Sequence, residues 1–303
     1  MTVPITLAHQ AVSSASVDLG LCHSPNSQGT LHLRSEDDIA AYSGLATHSP
    51  QFALNITDLH VVVVKPSKKI IARLNTTLSK LTNIEFLQLD IRGITANDAK
   101  RIFFDIRLLQ LHTFITKTIQ HAALVHFIKR HATTLSVLSL GPSAPCFKAP
   151  NGCPLRQCGS LCALQDVSGI SECIAHLIGV NTHTITAHST RASAGHCLLF
   201  DKIIATQPLN GQGLGSSVRV LQFEYGAKSL ELMHHIRQSI PQVSSMRLRE
   251  IEAVEGEVTK VSTVIVWDFS HPDLTRLYRA SYLVHIHGEI LLAGPADCKL
   301  WPT

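Results

Sequence analysis

An α/β fold made of stacked helix-plus-strand units is what this sequence predicts, on three observations. First, one pattern recurs: Leu78-x-x-Leu81-x-x-Ile84-x-x-Leu87-x-Leu89, then Leu135-x-x-Leu138-x-Leu140, then Ile240-x-x-Val243-x-x-Met246-x-Leu248. In each, helix-like spacing gives way to two-residue alternation, the mark of a strand with one buried face. Second, strand-like segments return at intervals typical of solenoid repeats. Third, 45% of the residues are apolar and 16% charged, enough apolar surface for a continuous core. Together these predict an irregular leucine-rich-repeat solenoid, curved, with mainly parallel strands on the concave side and helices and loops opposite.

Along the chain, residues 1–30 read as a loosely structured N-terminal segment and residues 31–303 as the solenoid domain. The segment holds Ser-Ser-Ala-Ser and Ser-Pro-Asn-Ser-Gln-Gly, both linker-like. A first helix is expected from Ser35 to Leu45. Ser35 suits an N-cap, and Glu36, Asp37 and Asp38 place negative charge in the first turn. Further helices are expected at Phe104–Leu111, Leu124–Arg130, Ser171–Ile178 with Ser171 as N-cap, and Ser229–Ser239, stopped by Pro241.

The strands are expected at Leu59–Val63, Leu87–Leu89, Leu109–Leu111, Leu138–Leu140, Val167, Ile185–Ala187, Leu221–Phe223, Met246–Leu248, Val264–Val266 and Val284–Ile286. Their starts are 28, 22, 29, 29, 18, 36, 25, 18 and 20 residues apart. Six of the nine intervals fall in the ~20–29 range of leucine-rich repeats. Gly141–Gly159, rich in Pro, Gly and Cys, reads as a long loop at one rim. The interval of 36 holds Gln207–Ser217, with the glycine pattern of a surface insertion.

Composition narrows the function. A formal charge of +4 without a lysine or arginine block, and 5% aromatic residues, give neither an electrostatic footprint nor a stacking platform for nucleic acid. No apolar run reaches the ~20 residues that span a bilayer. The first twenty residues lack a basic region followed by an apolar block, so a cytoplasmic or nuclear location is expected, with the eight cysteines as thiols.

The stretches HFIKRHATTLSVLSLGP, CPLRQCGSLCALQDVSG and SECIAHLIG resemble the leucine-rich-repeat region of the large fungal F-box-like families. VRVLQFEYGAKSLELMHHIRQSIPQVSSMRLREI looks like a later repeat of that kind. The resemblance implies a repeat fold that binds another protein. It does not reach a ubiquitin-ligase adaptor role, because residues 1–50 contain no F-box-like helical segment. The asparagine that follows Leu-x-x-Leu-x-Leu in that family is missing after Leu89, Leu140 and Leu248.

Candidate site residues follow from this frame. The polar side chains alternating with buried strand positions face outward, and Gln88, Asp90, Ser139, Gln222, Glu224, Arg247, Arg249, His285 and His287 are the expected partner-binding set. Their mixed charge selects no single ligand class. Arg247 and Arg249, beside Gln222 and Glu224, are the preferred hot spot, because guanidinium forks bond carboxylates and stack on aromatics.

The alternative is a small metal- or thiol-dependent enzyme using Cys146-x6-Cys153-x4-Cys158-x3-Cys162, or His285-x-His287-x-Glu289 on one strand face. The cysteine spacing lacks the close pairs of a zinc knuckle, so loop or core thiols are expected, with Cys162 near the apolar Leu161/Leu164 stripe. No nucleophile elbow, phosphate loop or dinucleotide fingerprint occurs. The expectation is therefore a non-enzymatic module without catalytic residues, metal or cofactor, whose partner is a protein.

Overall fold

The computed structural model describes residues 29–141, 152–188, 199, 218–225, 245–252, 260–268, 282–286 and 289–293. It is an α/β structure whose chain forms two compact units, residues 1–127 and 128–303. In unit 1, strands β1 (Thr30–Leu33), β2 (Asp58–Val64), β3 (Phe86–Arg92) and β4 (Thr113–Thr116) lie side by side in sequence order. The three pairings are parallel, with Thr30 opposite Asp58, Asp58 opposite Phe86 and Phe86 opposite Thr113. The repeat is thus 28, 28 and 27 residues.

The crossovers are helical, as parallel neighbours require. Helix α1 (Glu36–His48) opens on a capping box: Ser35 Oγ accepts from Asp38 N–H at 3.0 Å, and the Asp38 carboxylate accepts from Ser35 N–H at 2.9 Å. A short α2 (Pro50–Leu54) follows. Helix α3 (Lys68–Lys80), capped by Ser67, buries Ile70, Ile71, Leu74, Thr77 and Leu78, one stripe at helical spacing. Helix α4 (Ala96–Ile102) is capped by Thr95, and α5 (His121–Arg130) follows β4. Between α4 and α5, Phe103, Phe114 and Phe127 pack ring against ring at 4.6–6.0 Å.

Unit 2 contains β5 (Val137–Leu140), β6 (Asp166–Ile170), β7 (Thr184–His188), β8 (Val220–Tyr225) and β9 (Ser245–Glu252), all pairing parallel in that order. A 3₁₀ turn, Pro154–Gln157, and a one-turn helix α6 (Ser171–Ile174) lie in its crossovers. Then the pattern changes. β10 (Lys260–Asp268), β11 (Tyr282–Ile286) and β12 (Glu289–Ala293) pair antiparallel, each with the strand before it. The strands are in sequential order and do not close into a barrel.

A common frame runs through both units. The second residue of each strand from β1 to β8 is buried: Leu31, Leu59, Leu87 and Phe114 in unit 1; Leu138, Val167, Ile185 and Leu221 in unit 2. The residue two before the strand is buried as well, at Ile56, Ile84, Leu111, Leu135, Leu164, Thr182 and Val218. The residue just before β1, β2 and β3 offers its carbonyl to two N–H groups at the start of the following strand. Gly29 O takes Thr57 and Asp58, Thr57 O takes Glu85 and Phe86, and Glu85 O takes His112 and Thr113, at 2.8–3.1 Å. Ser136, Gln165 and His183 do the same in unit 2. Each fork satisfies two backbone donors that would otherwise be stranded where the strand begins.

Side-chain amides complete the frame. Three residues before β3, Asn83 donates to Leu54 O at 2.9 Å; three residues before β7, Asn181 donates to Cys162 O at 2.8 Å. In both cases the acceptor lies four residues before the preceding strand. Asn75 adds two bonds from α3 to the next crossover, to Ile102 O and Phe104 O, both 2.9 Å.

Four expectations need correction. The third strand is Thr113–Thr116, not Leu109–Leu111; Leu109 is exposed, and the frame runs Leu108-x-x-Leu111-x-x-Phe114. The helix expected at Phe104–Leu111 is instead α4, Ala96–Ile102. Helix α6 takes Ile170 as its N-cap, with Ser171 inside the helix. The strands at Val264–Val266 and Val284–Ile286 exist but run antiparallel. Ser229–Ser239 and Gln207–Ser217 lie outside the described residues.

Candidate functional site

The alternation that buries Leu31, Leu59, Leu87 and Phe114 turns the intervening residues outward, and parallel register lines them up in rows. In unit 1 one row is Thr30, Asp58, Phe86 and Thr113; the next is His32, His60, Gln88 and Ile115. These side chains are all partly exposed. Beyond them, Val62 stands opposite Asp90 and Val64 opposite Arg92. The two valines are 42% and 62% exposed, apolar surface next to polar groups.

The second row is joined side chain to side chain. The His32 and His60 rings stack at 4.6 Å, 22° from parallel, and the His60 ring lies 4.9 Å from Phe86. His60 Nδ1–H donates to Gln88 Oε1 at 3.1 Å. Desolvation by the surrounding surface lowers the pKa of His32 below its ordinary value, and repulsion from His60 and Arg34 adds to this. The result is an imidazole–imidazole–phenyl platform with its polar edge held by an amide, flanked by bare valines. Such a surface suits flat apolar and hydrogen-bonding groups of a partner.

Of the nine residues expected from sequence, Gln88 and Asp90 lie on this face. Asp90 is engaged by Arg92 at 3.3 Å, a surface pair of little energetic weight. Ser139 and Gln222 fall in one register row of unit 2, Ser139–Ser168–Thr186–Gln222–Arg247. Glu224 is in register with Arg249, not with Arg247. His285 is in β11, and His287 lies outside the described residues. The one-strand His285/His287/Glu289 arrangement is not formed: β11 ends at Ile286, and Glu289 starts β12, paired antiparallel to it. His32, His60, Phe86, Val62 and Val64 were not in the sequence-based set, although Leu31-x-Leu33 carries the alternation that marks β1.

The cysteines also regroup. Cys146 lies outside the described residues. Cys162 is exposed, contrary to the apolar position expected for it. Cys153 and Cys173 are buried, at 6% and 0%, with their sulfurs within 4.8 Å of each other. Cys158 is half-buried; burial raises its pKa to about 11, with Lys129 opposing the shift and Cys153 adding to it. A hydroxyl–imidazole contact, Ser168 Oγ to His188 Nε2, is long at 3.4 Å for proton transfer in this geometry.

The chain matches no family model, and comparison with curated proteins and with solved structures gives no match. Among the described residues, no helix is long and apolar enough to cross a membrane.

Proposed function

We propose that this chain is a non-enzymatic protein-interaction module that holds a partner protein against the outward face of its parallel strands. We read the architecture as an irregular leucine-rich-repeat solenoid akin to the repeat region of fungal F-box-like proteins, acting in the cytoplasm or nucleus. The observation that carries the reading is the row His32–His60–Gln88 with Phe86 beside it and the exposed Val62 and Val64 next to it. Aromatic and apolar groups fixed on a strand platform lose little freedom on binding, so their contacts are not spent on ordering. The repeated forks and amide bridges supply that rigidity. The unit 2 row from Ser139 to Arg247, with Arg249 next to it, extends the candidate set with hydroxyl and guanidinium groups.

The test is a comparison of variants once a partner has been captured. Val62→Asp places a charge on the exposed apolar patch without touching the core, and His60→Ala removes the centre of the ring stack. Both should weaken binding at least tenfold while the circular dichroism spectrum is unchanged. Unchanged affinity for both variants removes this face from the reading, and Arg247→Ala with Arg249→Ala then tests the unit 2 row.

A further inference from the structure

We propose that Cys153 and Cys173 form a two-thiolate site for copper(I), a thiophilic d¹⁰ cation content with two donors, that ties successive crossovers of unit 2 together. Cys153 lies between β5 and β6, at the entry to the 3₁₀ turn Pro154–Gln157; Cys173 lies between β6 and β7, inside α6. The chain separates them by twenty residues, yet both sulfurs are buried and within 4.8 Å. With metal–sulfur bonds of about 2.3 Å, two thiolates on either side of a linear two-coordinate ion lie roughly 4.6 Å apart, inside the observed limit. A disulfide would need the sulfurs at about 2.05 Å, and no disulfide joins the two.

The surroundings favour soft-ion chemistry. Leu155, Leu161, Ile174 and Leu177, from the same turn and helix region, are fully buried, so water competes poorly for the ion. Thiolates are the donors that select such ions over magnesium or calcium. Lys129 is close enough to act on Cys158 electrostatically, and Cys158 in turn feels Cys153, so a cation side chain and a third thiol adjoin the pair. The bland reading is that two buried thiols pack as small hydrophobes. The two readings differ in what metal does to the protein. Binding would release the thiol protons and add its free energy to folding.

The experiment uses the full chain, reduced and freed of metal with a chelator. Copper(I) is titrated in while thiolate-to-metal absorption in the ultraviolet and the thermal midpoint are followed, with cadmium(II) in a parallel titration as the four-coordinate comparison. The proposal expects a copper(I) band saturating at one equivalent, a raised midpoint, and protection of two thiols from a colorimetric disulfide reagent. Stoichiometric binding of cadmium(II) in preference to copper(I) overturns the two-coordinate reading. Cys153→Ser and Cys173→Ser should each lose the band, and the exposed Cys162→Ser should keep it. The thiol-protection count on the unaltered chain decides the matter if a serine variant fails to fold. No band with copper(I) on fully reduced protein overturns the proposal, as does a band that survives both serine changes.

Discussion

Leu87 occupies the second position of β3, fully buried, with Leu59 and Phe114 in register on either side. Leu87→Ala removes three carbons, and at about 0.8 kcal/mol per group the transfer loss is roughly 2.4 kcal/mol. Leu59 is fixed by its own strand and Phe114 by the ring cluster, so the space closes only in part and the total should reach about 3–4 kcal/mol. Gln88, one residue on, faces outward and gives up a single hydrogen bond to His60, so Gln88→Ala should cost about 1 kcal/mol or less. Urea unfolding followed by circular dichroism separates the two. With a slope near 2 kcal/mol per molar, Leu87→Ala lowers the midpoint by roughly 1.5–2 M and Gln88→Ala by at most about 0.5 M. A one-residue slip of the strand exchanges the two faces and reverses the order. Equal or inverted shifts would therefore refute the register on which the outward rows depend.

Three further outcomes are expected. Asn83→Asp should destabilise more than Asn83→Ala in the same unfolding assay, because a carboxylate facing Leu54 O repels where the amide donates; the alanine change costs about 1 kcal/mol. Gly179→Ala should cost about 1–3 kcal/mol by overpacking, since a Cβ there would come within 2.6 Å of Leu161 O, a backbone atom that cannot swing away. The lowered pKa of His32 makes stability depend on pH: its contribution is present above the ordinary value of 6.5 and is lost as pH falls through the lower folded value, where the unfolded chain takes the proton more readily. Thermal midpoints from pH 7.5 downward should therefore drop less steeply in His32→Gln than in the unaltered chain, and parallel curves would contradict this.

Much of the fold was legible because burial in parallel strands leaves a local imprint. Leu87-x-Leu89, Leu138-x-Leu140 and Ile185-x-Ala187 each carry the inward alternation, and their strands lie where it places them. The pattern failed where other residues fill the same positions. Phe114 and Thr116 occupy the inward positions of β4, so the leucines of Leu109–Leu111, which belong to the preceding turn, read as the strand. The family asparagine sought after the strand is missing, yet Asn83 and Asn181 make bridges from before it, a role that only the preceding repeat's carbonyl reveals. Strand direction leaves no imprint of its own: β10 to β12 alternate much as the parallel strands do but pair antiparallel, which separates His285 from Glu289. The candidate platform was half visible. Gln88 could be placed on the outward face from its own strand, whereas its contact with His60 needs the 28-residue register between strands. The Cys153–Cys173 approach is likewise a product of stacking and not of spacing.

The central claim is that the outward face of the strands, and not the helical side, meets a partner. Site-specific photo-crosslinking measures this directly. A photoreactive residue is placed at position 62, on the exposed strand face, and in a second protein at position 76, exposed on α3. Both proteins are irradiated in extract from the native cell, and adducts are identified by mass. One discrete adduct from position 62, reduced by His60→Ala and absent from position 76, is the predicted result. Adducts from position 76 with none from position 62 would contradict the account and place the interaction on the helices.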